Sequence, residues 1–151
     1  MITNFSIDDH NYNLKYNLAH EFFWGFGVAF HTIYAVVPLF LKELGSPEVI
    51  ATSSAGLFSI IIAMPMLFTA ALTRNITNMK RMVISVHCLI LLVAFLMGYV
   101  FTFSKFGATP NAWKIYFILF IAYAISIGII VPIWADSVSY THLTLPTKRI
   151  V

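Results

Sequence analysis

Four stretches of the chain run apolar with no charged residue to interrupt them. Phe22–Leu41, Val49–Thr73, Met82–Ser104 and Ile115–Ala135 contain no Asp, Glu, Lys or Arg. A helix of a water-soluble domain keeps a polar face, and none of these stretches has one. Each is as long as the roughly 20 residues that carry a helix through a ~30 Å hydrocarbon core. The pattern predicts an all-α membrane protein with four transmembrane helices, at about 22–41, 49–72, 82–103 and 115–135. Together they form one transmembrane domain over 21–136. A polar segment, 1–20, precedes it, frayed or lying at the membrane interface, and a polar tail, 137–151, follows.

The breaks between the stretches carry helix punctuation. In the connection KELGSPE, Gly45 is suited to end one helix, and Ser46 and Pro47 suit the N-cap and first turn of the next. Asn78 is a candidate cap for the third span, and Thr109-Pro110 repeats the cap-and-proline start before the fourth. Pro38 is expected to kink the first span near its far end. Pro65, Gly128 and Pro132 fall inside later spans, where such residues are tolerated and mark places at which helices pack or bend.

Small residues predict the packing. In the second span Thr52, Gly56, Ser59, Ala63 and Ala70 fall within an arc of about 60° at 100° per residue. Such a stripe lets another backbone approach closely, as membrane helices do in associating without a hydrophobic drive. Gly128, with Ala124, makes a shorter stripe on the fourth span. By the same arithmetic Trp24, Gly27, His31, Tyr34 and Pro38 share one face of the first.

Charge then sets the orientation. Loop 72–82, LTRNITNMKRM, holds Arg74, Lys80 and Arg81 and no acidic residue. Short loops rich in Lys and Arg stay cytoplasmic. With Lys15 this puts four basic residues on one side against Lys42, Lys105 and Lys114 on the other. The N-terminus, the 72–82 loop and Asp136 are therefore expected inside, in a multi-pass protein of the plasma (inner) membrane. The sequon Asn75-Ile76-Thr77 falls on the wrong side for glycosylation.

Composition agrees with a lipid bilayer as the main partner: 60% of residues are hydrophobic, 10% are charged and the mean hydropathy is +0.85. The isoelectric point near 9.1 does not indicate nucleic-acid binding, because the basic residues are scattered and two of them, Lys148 and Arg149, lie in the tail. Cys88 is the only cysteine, so neither a disulfide framework nor a cysteine metal site is expected. No cofactor motif is present. No HExxH, GxSxG or pair of carboxylates within a span occurs, so no intramembrane enzyme is indicated.

Ionisable and aromatic residues inside the spans are the candidates for function. His31 sits mid-span, where an ionisable residue points to a proton relay, a substrate contact or an ion site. A neutral imidazole hydrogen-bonded to a neighbouring helix is the alternative. Tyr34, Tyr123 and Ser126 are further cavity candidates on the first and fourth spans, each equally open to a packing role. His87, one turn into the third span, suits a side chain reaching the headgroups.

Residues Val37–Gly56, VPLFLKELGSPEVIATSSAG, and Gly128–Asp136, GIIVPIWAD, resemble segments of the major facilitator superfamily of transporters: the first outer loop and the end of the fourth helix. The basic loop between the second and third spans also has a counterpart there. Of that family's inner-loop motif only Lys80-Arg81 match cleanly, with Arg74 displaced and the glycines and aspartate absent. The arginine that many proton-coupled exporters carry in the fourth helix has no equivalent between Ile115 and Ala135. The resemblance covers about residues 17–136.

The resemblance implies the first four helices of a six-helix half-domain. It implies secondary active transport of a small solute by alternating access, with helices one and four lining the path and further helices of a longer chain as partners. The tail SYTHLTLPTKRIV resembles translated sequencing-adapter read-through, and the chain is accordingly expected to be an N-terminal fragment. The alternative is a self-contained four-helix scaffold or subunit.

Overall fold

A computed structural model of the chain describes residues 7–73 and 78–142, with side chains described over 11–138 except at 79 and 80. Among these residues every regular element is helical. They are α1 (Ile7–Phe30), α2 (Val36–Glu43), α3 (Glu48–Leu72), α4 (Met79–Thr102), a 3-10 turn at Lys105–Ala108, and α5 (Ala112–His142). Three helices are long and apolar enough to cross a membrane, over Glu48–Leu72, Arg81–Thr102 and Ala112–Val138.

The first apolar stretch is not a single helix. Proline has no N–H to donate, and its ring clashes with the carbonyl four residues earlier, so it sits most easily in the first turn of a helix. The chain meets this at Pro38 by breaking upstream. α1 stops at Phe30, and α2 restarts at Val36 with Pro38 in its first turn. Between them the backbone makes irregular turns, with Val37 N–H donating to Thr32 O at 3.1 Å and Thr32 Oγ1 to Ala29 O at 2.8 Å. The expected kink near the far end is thus an interruption at 31–35. Of the polar segment, residues 7–20 are the opening turns of α1, and residues 1–6 lie outside the described ones.

α2 ends where Gly45 was expected to end it. Gly45 has φ +78°, its N–H donates to Lys42 O at 2.9 Å, and Ser46 N–H donates to Leu41 O at 3.0 Å. This Schellman turn satisfies the last carbonyls and needs the residue without a Cβ. Lys42 Nζ reaches Glu48 Oε1 at 3.3 Å across the connection. The N-cap of α3 is Pro47 rather than Ser46. Asn78 caps α4, its side chain accepting from Arg81 N–H at 3.1 Å.

α5 is the spine. Tyr116, Phe120, Ala124, Ile127, Ile130 and Ile133 are buried along one side at three- and four-residue spacing. α3 lies alongside it in the same direction, with Phe58 against Phe120 and Ile62 against Gly128. α4 runs the opposite way on the other side, with Phe101 against Tyr116. α2 wedges in through Val37 and Leu41, both fully buried. α1 contributes none of the fully buried apolar core.

The small residues pack differently from expectation on α3 and as expected on α5. A Cβ built on Gly128 would lie 2.5 Å from Ile62 O and 3.2 Å from Pro65 Cβ, so two backbones meet where only glycine fits. Thr52, Gly56, Ser59, Ala63 and Ala70, in contrast, are exposed, and nothing lies within 4 Å of a Cβ at Gly56. Each sits one residue beyond a buried or half-buried position (Ala51, Ala55, Phe58, Ile62, Thr69). The stripe is therefore turned by about 100° from the face that α5 covers. Large side chains on α3 supply that contact, and the small partner is on α5.

This contact makes a paired prediction. Gly128→Val should destabilise the fold by about 1–3 kcal/mol or more, as overpacking does, whereas Gly56→Leu should change this chain's stability little. Unfolding of the purified chain by detergent titration checks both, and equal losses would contradict the packing described.

Candidate functional site at the helix break

The break at 31–35 leaves His31 at the end of α1, facing α5. His31 Nε2 lies 2.9 Å from the Tyr116 hydroxyl, and its ring packs edge-on against Tyr123 at 4.8 Å between centroids. Phe120 closes the other side at 6.1 Å. Tyr116 and Tyr123 lie about 6 Å and 16 Å along α5 from Ala112, at 1.5 Å per residue. His31 therefore sits between one end of the span and its middle. Its Nδ1 is buried and has no hydrogen-bond partner among the described residues. A buried polar atom left unpaired costs about 1–3 kcal/mol, so it marks a place where a partner would be gained.

Beside His31, α1 stands away from α4, and the two enclose a groove of about 320 Å³. Gly27, Val28 and His31 form one wall, Ala94 and Met97 the other, and Tyr123 contributes from α5. The lining is apolar except for the imidazole and the phenol. Such a surface takes a small, largely apolar molecule and orients it through one or two polar atoms.

The residues singled out in the sequence divide here. His31 and Tyr123 meet in the groove. Tyr34 does not join them, because the helix ends at Phe30 and carries it outward, 80% exposed. Ser126 is turned into the protein interior, 2% exposed, and donates to Ala122 O at 2.8 Å on its own helix. Arg74 and the side chain of Lys80 lie outside the described residues, while Arg81 is exposed at the start of α4. The tail from 143 also lies outside them.

Tyr116 was not expected to hold His31. It stands at the start of the fourth apolar stretch, and nothing in its sequence neighbourhood singled it out for a polar role. A second group also went unforeseen. His20 and His87 meet near the middle of α1, with Nε2 atoms 3.1 Å apart. The only sequence signal was their placement near the ends of apolar stretches, close to Trp24 and Trp134, where amphipathic rings gather at the membrane surface.

In comparisons with known proteins, no family model, no curated protein and no solved structure matches the chain. The functional argument therefore rests on this geometry and on the residues themselves.

Removal of the Tyr116 hydroxyl should expose the cost of the orphaned imidazole. Tyr116→Phe leaves both His31 nitrogens unpaired and should destabilise the chain by about 1–3 kcal/mol. Adding His31→Phe to it should recover part of the loss. Detergent-titration unfolding of the two variants checks the pair.

Proposed function

We propose that this chain is the four-span opening part of a secondary transporter of the major facilitator type, moving a small solute across the plasma membrane by alternating access. The observation that carries this reading is the interrupted first stretch, which sets His31 beside an open groove. In hydrocarbon, irregular backbone is tolerated only where protein covers it or it lines a cavity. In secondary transporters, broken helices of this kind build the substrate site. His31 and Tyr123 would be the polar contacts to the solute, and the apolar walls of α1 and α4 would favour a solute with a hydrophobic body. α1 and α2 together would form the first of the four spans.

The exposed stripe Thr52, Gly56, Ser59, Ala63 and Ala70 supports the same reading. Small residues facing lipid gain nothing, whereas further helices of a longer chain would pack closely on them. The self-contained scaffold draws support from the closed contact at Gly128 and from the internally satisfied Ser126. It gives no account of the open groove.

Cysteine accessibility separates the two. In a Cys88→Ser background, a cysteine at Ala94 on the groove wall should react with a water-soluble thiol reagent in native membranes, and one at exposed Leu92 should not. A groove closed to water, with neither position labelled, would favour the scaffold. The orientation is tested in the same background. An impermeant reagent applied to intact cells should label a cysteine at Ser46 and spare one at Thr77. The reverse pattern would invert the topology.

A further inference from the structure

Away from the groove, α1 touches α4 and α5 at a second cluster. His20 Nε2 and His87 Nε2 lie 3.1 Å apart, and His87 Nδ1 is 2.7 Å from Val83 O. Beside them a cavity of about 110 Å³ is lined by His20, Glu21, Trp24, Ile130, Val131 and Trp134, and it shares only Trp24 with the groove.

The walls of this cavity are electron-rich. The Trp24 and Trp134 indoles stack with the His20 ring at 6.2 Å and 5.7 Å between centroids, with interplanar angles of 12° and 20°. Aromatic faces carry negative charge density. Glu21 adds a carboxylate whose side chain is 51% exposed and so reachable from outside. His20 adds a lone pair. Val83 O can only accept, so His87 Nδ1 carries a hydrogen and neutral His87 accepts at Nε2. Neutral His20 then donates from Nε2, and its Nδ1 is left as an acceptor 3.4 Å from Glu21 Oε1. Two acceptors thus stand side by side with no hydrogen between them, and no Lys or Arg lines the cavity.

We infer that this cavity is a binding site for an alkylammonium group. Its N–H groups answer His20 Nδ1 and Glu21 Oε1, its charge lies against the two indoles, and its first carbons rest on Ile130 and Val131. An ammonium is all donor and no acceptor, and indoles hold cations within about 6 Å of the ring centre. Other ligands fit worse. An anion meets Glu21 and finds no positive partner. An uncharged alkyl group fills the apolar part and leaves both acceptors to water. Among the described residues no three metal-ligating side chains come together. The volume, a third of the 320 Å³ of the groove, holds one end of a molecule and not a whole solute.

Depth gives the ammonium two sources. Val138 closes the span of α5 four residues past Trp134, and Arg81 opens that of α4 six residues before His87. At 1.5 Å per residue these are about 6 Å and 9 Å, which puts the cavity within reach of lipid headgroups. The occupant is therefore either a free alkylamine or the ethanolamine headgroup of a lipid. The site does not depend on whether the chain moves a solute.

The test uses the whole chain in maltoside micelles, whose headgroups carry neither charge nor amine. Butylammonium and butanol, alike in length and different in charge, are titrated against the unmodified chain and against protein-free micelles. Butylammonium should bind about tenfold more tightly than butanol. Glu21→Gln, a change at an exposed side chain, should bring the two to within about twofold. In a Trp113→Phe chain the indole protons belong to Trp24 and Trp134 alone, and saturation transfer from them to the butyl protons locates the probe. Equal binding of the two probes to the unmodified chain would overturn the proposal without reliance on any variant's folding. So would the absence of transfer from the indoles, or a preference for the ammonium left intact in Glu21→Gln. Nanodiscs then separate the sources. Transfer to the headgroup protons of phosphatidylethanolamine, lost when butylammonium is added, supports the site with a lipid as its occupant. Butylammonium bound in phosphatidylglycerol nanodiscs, with no transfer to phosphatidylethanolamine, supports it with a free amine.

Discussion

The close approach of α3 and α5 at Gly128 is the contact on which the rest depends. In lipid, apolar side chains gain nothing by leaving the solvent, so helices associate through intimate packing. Gly128 removes the one Cβ that would hold the backbones apart, and Ile62 and Pro65 fill the space it leaves. Phe58 on Phe120 extends the contact along both helices. With that pair joined, α5 offers its remaining buried flank to α4, and the short α2 can seat Val37 and Leu41 at the end of the seam.

α1 stands outside this arrangement. It has no fully buried apolar side chain, and its Phe22, Phe23, Phe26 and Phe30 face outward. What holds it is polar and local: His31 on Tyr116 just past its end and His20 on His87 near its middle, with the groove between. Both polar contacts use imidazole, so the part of the molecule with the least apolar support is held by hydrogen bonds of single side chains.

The sequence revealed the helices far better than their faces. Charge-free runs of the right length located α3, α4 and α5, and Gly45 and Asn78 marked ends that the backbone uses. The rule that Pro38 disturbs a helix was read correctly in kind but not in place, because the chain moves the defect upstream until the proline sits in a first turn. That displacement removed Tyr34 from the face it shares with His31 on an unbroken helix. The stripe on α3 lies off the contact with α5 for a different reason. When every face is apolar, periodicity has almost no contrast, and small residues are only one way to make a contact; on this pair of helices the glycine of α5 sufficed. Of the candidate site, His31 and Tyr123 were legible as polar groups in an apolar run. Tyr116, His20 and Trp134 acquire a role only through residues on other helices, and one sequence does not record who their neighbours are.

The interruption at 31–35 has a mechanical consequence. Beyond it, α2 is anchored by the Schellman turn, the Lys42–Glu48 pair and its two buried side chains, so the pivot is fixed. Before it, α1 is a rigid arm. His20 lies about 20 Å from the pivot at 1.5 Å per residue. A swing of about ten degrees would carry it sideways by about 3 Å on that geometry, as far as the gap between its nitrogen and that of His87. A small angle at the break therefore becomes a broken bond about 20 Å away, and the length of the arm is the gain.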